Sequence, residues 1–390
     1  MQYKTLGRFF PLAACAVAAL VASAPALAQE VVKIGYTGPL SGGAALYGKN
    51  VLSGIQMAVD EINASGLEVK GKKIKLEVVS LDDKYAPAEA AINARRLVQQ
   101  YKTPAVFVPH SGGIFALQAF NEQEKFMVMA YSSVPRITDA GNKLTIRIPP
   151  AYTGYIEPFV KAQMKRFGKN VALVPAEHDY AKAWVQAFVP AWEGAGGKVV
   201  GNNPMSYTKA TDFYTGVSRA IADKPDVMFV GGPSEPTALV VKQARELGFK
   251  GGFIIMDQAK MDEMAKVTNG LTMLEGSIGV MPLVNDARPV AQAYNARYKK
   301  LHDGRDATTE MSLNYTMTWA LANAMKLAGT TSDAAAIRAK MPEAVKTLPK
   351  DVNPNEVEGI DAKGGSMADT VVGWVQNGKI APVRLSELGK

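Results

Sequence analysis

From Val31 onward, short apolar runs alternate with longer segments whose apolar residues recur every three or four positions. Val31 to Thr37 predicts a strand and Gly38 to Gly48 a loop, after which Val51, Ile55, Ala58, Val59 and Ile62 share one helical face. Lys73 to Leu81 alternates apolar and polar residues up to Asp82-Asp83, and the alanine-rich stretch Ala88 to Leu97 predicts a second helix. Ala105 to Val108 and Phe126 to Ala130 are further short strands, with a helix over Gly113 to Glu122 between them. Short strands separated by longer helices imply a parallel sheet with helical crossovers.

The rhythm restarts after Pro149-Pro150. Helices are predicted at Ile156 to Arg166, Ala181 to Ala195, Phe213 to Ala222 and Pro236 to Leu247. They alternate with strands at Asn170 to Val174, Lys198 to Gly201, Val227 to Val230 and Phe253 to Met256. After a strand at Ser277 to Val280 the pattern turns mostly helical, through Val290 to His302, Met311 to Leu327 and Ala334 to Met341. A terminal hairpin, Val371 to Val375 with Lys379 to Val383, is centred on Asn377-Gly378.

The residues ahead of Val31 change the picture from fold to location. Lys4 and Arg8, the apolar run Phe9 to Val21 and the small-x-small triplet Ala26-Leu27-Ala28 have the layout of a secretory signal peptide, cleaved after Ala28. The expected location is therefore outside the cytoplasm. The apolar run contains Pro11 and falls short of the roughly 20 residues that span a bilayer. Leu12-Ala13-Ala14-Cys15 has the form of a lipoprotein box, but only Phe9, Phe10 and Pro11 separate it from Arg8. Cys15 is the only cysteine, so cleavage after Ala28 leaves a chain without disulfides or thiol chemistry.

The remaining length of about 360 residues exceeds what one core usually supports, and two domains are expected. Loss of Lys4 and Arg8 lowers the formal charge from +8 to +6, and the basic residues are scattered without a stripe. Nucleic acid is not an expected partner.

Gly43 to Asn50 nearly matches a phosphate-binding loop, but Asn50 stands where a Ser or Thr hydroxyl would reach a magnesium ion. The segment reads instead as a glycine-rich strand-to-helix turn able to line a cleft. His110, His178 and His302 are too far apart in sequence to suggest a metal site, no Gly-x-Ser-x-Gly elbow occurs, and no cofactor is expected. Asp82-Asp83 reads as a solvated or helix-capping pair. Two polar turns follow predicted strands: Pro109-His110-Ser111-Gly112-Gly113, and Ala130-Tyr131-Ser132-Ser133. Hydroxyl and N–H groups at a helix start can seat a carboxylate, and parallel sheets place ligands at such strand ends. Taken singly, each reads as an ordinary serine-containing loop.

Val32-Lys33-Ile34-Gly35-Tyr36-Thr37-Gly38-Pro39-Leu40-Ser41-Gly42, Ala58-Val59-Asp60-Glu61-Ile62-Asn63, Phe229-Val230-Gly231-Gly232 and Lys242-Gln243-Ala244-Arg245-Glu246-Leu247-Gly248 carry a likeness. On these stretches the chain resembles the branched-chain amino-acid (Leu/Ile/Val) type of periplasmic substrate-binding protein of ABC importers. The resemblance implies a type I, two-lobed α/β fold, each lobe a mainly parallel sheet flanked by helices, with three chain crossings at the hinge. It divides the chain into lobe one, 29–148 plus 281–348, and lobe two, 149–280 plus 349–390. It implies a non-enzymatic, monomeric receptor that closes on a small ligand and delivers it to a membrane permease.

By the same resemblance, Ser111 and Ser133 hold a ligand carboxylate, helped by backbone groups of Tyr131 and Ser133. Tyr180 covers the ligand from the other lobe, and Asp257 stands where relatives carry a glutamate for the ligand's ammonium. Pro233 and Ser234 follow Gly231-Gly232 where relatives often carry a tyrosine, so the pocket departs from the family's pattern. Tyr131 and Tyr152 are candidates to line it with aromatic surface. The expected ligand is a small amino acid or amide, or a related aromatic or aliphatic carboxylate. An exported hydrolase and the ligand-sensing receptor of a regulatory system are alternatives.

Overall fold

All four residues of Ala105–Val108 are buried, because both faces of their sheet are covered. Val106 and Val108 enter one core, Ala105 and Phe107 another. A parallel strand covered on both faces reads as a continuous apolar run. In the computed structural model, which describes residues 1–3, 7, 29–368 and 370–388, such strands build two α/β lobes. The expected signal peptide with Cys15 and the cleavage site at Ala28 lie outside the described residues.

The first sheet holds β1 (Glu30–Gly38), β2 (Leu67–Val69), β3 (Lys72–Asp82), β4 (Ala105–Val108), β5 (Met127–Ala130) and β6 (Thr145–Arg147), in the order β2-β3-β1-β4-β5-β6. Only β2 runs antiparallel to its neighbour. The second sheet begins with β7 (Asn170–Pro175), β8 (Lys198–Asn202), β9 (Val227–Gly231), β10 (Gly252–Ile255) and β11 (Ser277–Val280). A small pair, β12 (Gly359–Ile360) and β13 (Ser366–Met367), precedes β14 (Val371–Gln376) and β15 (Lys379–Arg384), which complete the order β15-β14-β11-β10-β9-β7-β8. The terminal hairpin is antiparallel and turns at Asn377-Gly378, both at positive φ.

Connecting the early strands are α1 (Ala45–Ser65), α2 (Pro87–Tyr101), α3 (Ser111–Gln118) and the single turns α4 (Asn121–Glu124) and α5 (Arg136–Asp139). The second lobe adds α6 (Thr153–Arg166), α7 (Asp179–Gly194), α8 (Tyr214–Ala222), α9 (Ser234–Glu246) and α10 (Met261–Val267). The chain then supplies α11 (Pro289–Leu301), α12 (Thr309–Ala328) and α13 (Ala334–Lys346) to the first lobe. Ile55 of α1, Leu321 of α12 and Ile337 of α13 share the core on one face of the first sheet. Leu97 of α2 and Ile114 of α3 cover the other. Among the described residues no helix is long and apolar enough to cross a membrane.

Helices α1 and α12 pack backbone to backbone at Gly54, where a Cβ would stand 2.1 Å from the carbonyl oxygen of Met311. A side chain here forces the helices apart. Gly54→Ala is expected to cost about 1–3 kcal/mol of stability by overpacking, offset only in part by the gain in helix propensity. Urea unfolding of this variant beside wild type checks it; equal midpoints would contradict the close approach.

The first sheet ends with β6 and the second begins at β7, α11 to α13 follow β11 back to the first lobe, and the chain re-enters the second sheet at β14. Residues beyond Leu348 differ from expectation, since Val352, Val357 and Ile360 belong to the first lobe's core. Arg147 donates its N–H to Gly364 O at 2.8 Å, and Ser366 Oγ donates to Ile148 O at 2.5 Å, tying this stretch to the end of β6. The third crossing therefore lies after β13 rather than at Leu348–Pro349.

Candidate functional site

In each sheet the strand order reverses at one place, and the loops leaving the carboxyl ends of the strands there form a crevice. In the first sheet β1 stands between β3 and β4, and in the second β7 stands between β9 and β8. The ends of β4, β5, β7 and β10 carry Ser111, Tyr131 with Ser133, Tyr180 and Asp257, and these meet between the lobes.

Ser111 opens α3, and its Oγ lies 2.7 Å from Ser132 Oγ, both side chains being buried. His110 caps the same helix: its Nδ1 accepts from Gly113 N at 3.0 Å, which leaves the proton on Nε2 to reach Asp83 Oδ2 at 3.0 Å. Gly113 has no room for a side chain, since a Cβ would sit 2.6 Å from His110 Cε1. Asp83 also accepts from Thr37 Oγ1 at 3.1 Å and from Tyr85 N at 2.9 Å. This carboxylate is wholly buried and anchors the ligand-side loops, in contrast to the solvated pair expected from the sequence. Asp82 does cap a loop, accepting from Leu40 N at 2.8 Å and Lys84 N at 2.9 Å.

From the first lobe, Ser133 Oγ donates to Asp257 Oδ2 of the second at 2.5 Å and lies 3.0 Å from Tyr180 OH. Trp184 Nε1 donates to Tyr180 OH at 3.0 Å and to Asp257 Oδ1 at 3.1 Å. Burial pushes the Asp257 carboxyl up to about 6, opposed by the Ser133 hydrogen bond and the Lys260 charge. The group is thus an anion at neutral pH that lacks a cation in direct contact. A ligand ammonium would supply one.

Ser111, Ser133, Tyr180 and Asp257 line one small pocket together with Tyr47, Tyr85, His110 and Gln258. Among the described residues no cationic side chain lines it. A larger cavity lies on the hinge side and shares Tyr131, Pro149 and Asp257 with it, with Lys260 and Arg288 among its walls. The hydroxyls and strand ends converge on the smaller pocket, which is the candidate site.

Five of the six residues expected from the sequence thus line one pocket: Ser111, Tyr131, Ser133, Tyr180 and Asp257. Tyr152 does not. It is stacked on Trp184 at 4.6 Å, with its hydroxyl donating to Ala183 O at 2.8 Å, and it supports the pocket floor from behind. The correction has a local cause, since Tyr152 caps α6 and faces α7 rather than the strand ends.

Five residues in or beside the pocket escaped the sequence reading: Trp184, Tyr85, Gln258, Tyr47 and His178. Trp184 lies one helical turn after Tyr180 on the same face, a spacing that would have found it. Tyr85 follows the carboxyl end of β3, stacks on His110 at 4.7 Å, and receives the Gln258 amide at 2.7 Å from the opposite lobe. Tyr47 donates to Pro109 O at 2.7 Å and holds the loop that carries Ser111. His178, which caps α7, lies 5.2 Å from the Tyr85 ring, and burial pulls its imidazole down to about 3, so it is neutral at physiological pH. Among the described residues no group of three or more His, Cys, Asp or Glu side chains could hold a metal ion.

Residues 31–369 match the family model described as periplasmic binding protein. An amino acid binding protein of Pseudomonas aeruginosa PAO1 is 30% identical over 288 residues, which cover 70% of this chain and 74% of the relative. A Leu/Ile/Val-binding protein of Escherichia coli K12 is 28% identical over 244 residues, 60% of this chain and 64% of the relative, so the match spans less than two thirds of that protein. Among solved structures, a leucine-binding protein from Thermotoga maritima superposes with a TM-score of 0.73 at 25% identity, covering 90% of this chain and 97% of that one. With two α/β lobes facing each other across a polar cleft and a family match along nearly all of the described chain, the protein belongs to the periplasmic binding protein family of solute-binding scaffolds.

Proposed function

We propose that this protein is a periplasmic receptor that captures a small amino acid, or a related carboxylate, between its lobes and delivers it to the permease of an ABC importer. The observation that carries the reading is the convergence of Ser111 and Ser133 of one lobe with Tyr180 and Asp257 of the other in one pocket without a cationic side chain. A ligand carboxylate is held by the hydroxyl of Ser111 at the start of α3, where the helix dipole favours negative charge, and by that of Ser133 after β5. The ligand's ammonium then replaces the Ser133 hydroxyl as partner of Asp257. Desolvating both charges offsets much of their attraction, so the pair supplies selectivity more than raw affinity. The relatives named as amino-acid and Leu/Ile/Val-binding proteins support the same ligand class. Export rests on the signal peptide expected at residues 1–28.

Binding is favoured over hydrolysis by the local chemistry of Ser111. Its hydroxyl pairs with Ser132, while both ring nitrogens of His110 are engaged, by Gly113 and Asp83. A serine nucleophile needs a base within hydrogen-bond reach, and His110 is committed elsewhere.

Calorimetric titration tests this reading. Protein stripped by unfolding and refolding is titrated with the standard amino acids and with matched acids lacking the amine. One amino acid, or a related group of them, is expected to bind one to one. It should also raise the melting temperature, by about 2.7 kcal/mol of added stability at a hundredfold excess over Kd. Tight binding of the amine-free acids with none of the amino acids would overturn the amino-acid assignment.

A further inference from the structure

The lobes also meet through charged groups the ligand does not touch. Asn50 Nδ2, on α1 of the first lobe, donates to Glu263 Oε1 of the second at 2.6 Å and to Glu310 Oε1 of α12 at 3.2 Å. Two carboxylates from opposite lobes therefore share one amide nitrogen. Lys260, 2% exposed, comes from the second lobe to 3.6 Å from Glu310 Oε2, itself 0% exposed, and donates to the carbonyls of Asp257 at 2.6 Å and Gln258 at 3.0 Å. Asp262 adds a third carboxylate beside the pair, and its Oδ1 has no hydrogen-bond partner. Lys266 faces Asp262 from the same helix, the Ser234 hydroxyl reaches Glu263 from α9, and burial keeps the phenols of Tyr47 and Tyr131 neutral on the first-lobe side.

Three carboxylates against Lys260 and Lys266, with Glu263, Glu310 and Lys260 buried, leave excess negative charge where the lobes join, and buried like charges resist ionising together. We propose that this seam is a proton-operated latch: bringing the lobes together places a proton on Glu263 where it faces Glu310, and losing that proton favours their separation. The proposal rests on the reading of the chain as a receptor that closes, and it assigns that closure a regulator outside the ligand pocket.

The sign follows from the two states. With the lobes together, burial and the charges of Glu310 and Asp262 push Glu263 up to about 8 from the ordinary 4.5, to which separation returns it. The joined form holds the extra proton between these limits, so closure is most favoured below about 4.5 and weakens as pH rises, by up to tenfold per unit. Above about 8 the dependence levels off. Asp262 and Asp257, each pushed up to about 6, act in the same sense at lower pH, which leaves the interval above about 6 to report Glu263.

The experiment compares wild type, Glu263→Gln and Glu310→Gln by small-angle X-ray scattering without ligand, and by calorimetry with L-leucine as probe, between about pH 6.5 and pH 9. Gln at position 263 can still accept from Asn50 but cannot lose a proton. Wild type is expected to expand as pH rises and to bind leucine with up to tenfold lower affinity per unit. It should also take up close to one proton on binding, read from buffers of different ionisation enthalpy. Glu263→Gln should show a flat profile in both, and Glu310→Gln should move the wild-type transition to lower pH. A pH-dependent radius in wild type, flat in Glu263→Gln, without leucine binding would uphold the latch and count against the leucine-like ligand. The same pH profile in wild type and Glu263→Gln, with or without leucine binding, overturns the latch.

Discussion

Replacement of Asp257 by alanine is expected to leave the fold standing while weakening amino-acid binding by about 2–5 kcal/mol, the usual cost of truncating one member of a buried charge pair. The fold tolerates the loss because each donor to Asp257 has a second partner: Ser133 and Trp184 both reach the Tyr180 hydroxyl at 3.0 Å. Removing this carboxylate also removes the burial cost that pushes it up to about 6. Asp257→Asn separates charge from hydrogen bonding, since the amide oxygen still accepts from Ser133 but attracts no ammonium. It should behave like the alanine variant toward amino acids. An acid lacking the amine should respond in the opposite sense to both variants, because repulsion between two carboxylates is relieved. Titration of the three proteins with an amino acid and its amine-free analogue checks this. Unaltered amino-acid affinity in Asp257→Ala would move the ammonium seat elsewhere without disturbing the family assignment.

The largest loss of stability is expected from Trp184→Ala, about 3–5 kcal/mol, because a fully buried indole leaves a cavity that its neighbours close only in part. The ring is stacked on Tyr152 at 4.6 Å and packs against Phe229 at 6.0 Å, while its N–H steadies Tyr180 and Asp257. Packing and pocket geometry thus depend on one side chain. Trp184→Phe keeps most of the apolar surface and deletes the N–H, so its affinity loss should exceed its stability loss. Chemical unfolding and titration of the two variants separate the effects. Wild-type ligand affinity in Trp184→Phe would show that the indole N–H has no part in positioning the site.

Much of the fold was legible because its strands are covered on both faces and its helices are long enough to show a period. Ala105–Val108 and Val227–Gly231 are continuous apolar runs, and the apolar residues of α1 recur through several turns. What escaped lacks such a signal. Helix α10 has seven residues with Asp262 and Glu263 in its first turn, too short for periodicity and too polar to suggest burial. Val352, Val357 and Ile360 are single apolar residues in a polar stretch, and only the tertiary fold reveals that they complete the first lobe's core. This is why the third crossing was expected at Leu348–Pro349.

The pocket was legible through the rule that ligands sit at the carboxyl ends of parallel strands, which picks out the Ser111 and Ser133 turns from the sequence. Family resemblance supplied Tyr180 and Asp257. Contacts made across the cleft, such as Gln258 to Tyr85 and Asn50 to Glu263, join residues far apart in the chain and leave no trace in local pattern. Asp83 misled for a related reason: adjacent acids ordinarily face water, and only the spatial neighbours Thr37 and His110 make burial tolerable here.

A distance measurement between one label in each lobe, with and without a bound amino acid, tests most directly whether this protein works by closing on its ligand. The contacts expected to hold the ligand come from both lobes, so saturation should shorten the distance and narrow its distribution, and Asp257→Ala should need far more ligand for the same change. A distance that stays the same at saturating ligand, with binding confirmed in the same sample, would contradict the closing of the lobes around an amino acid.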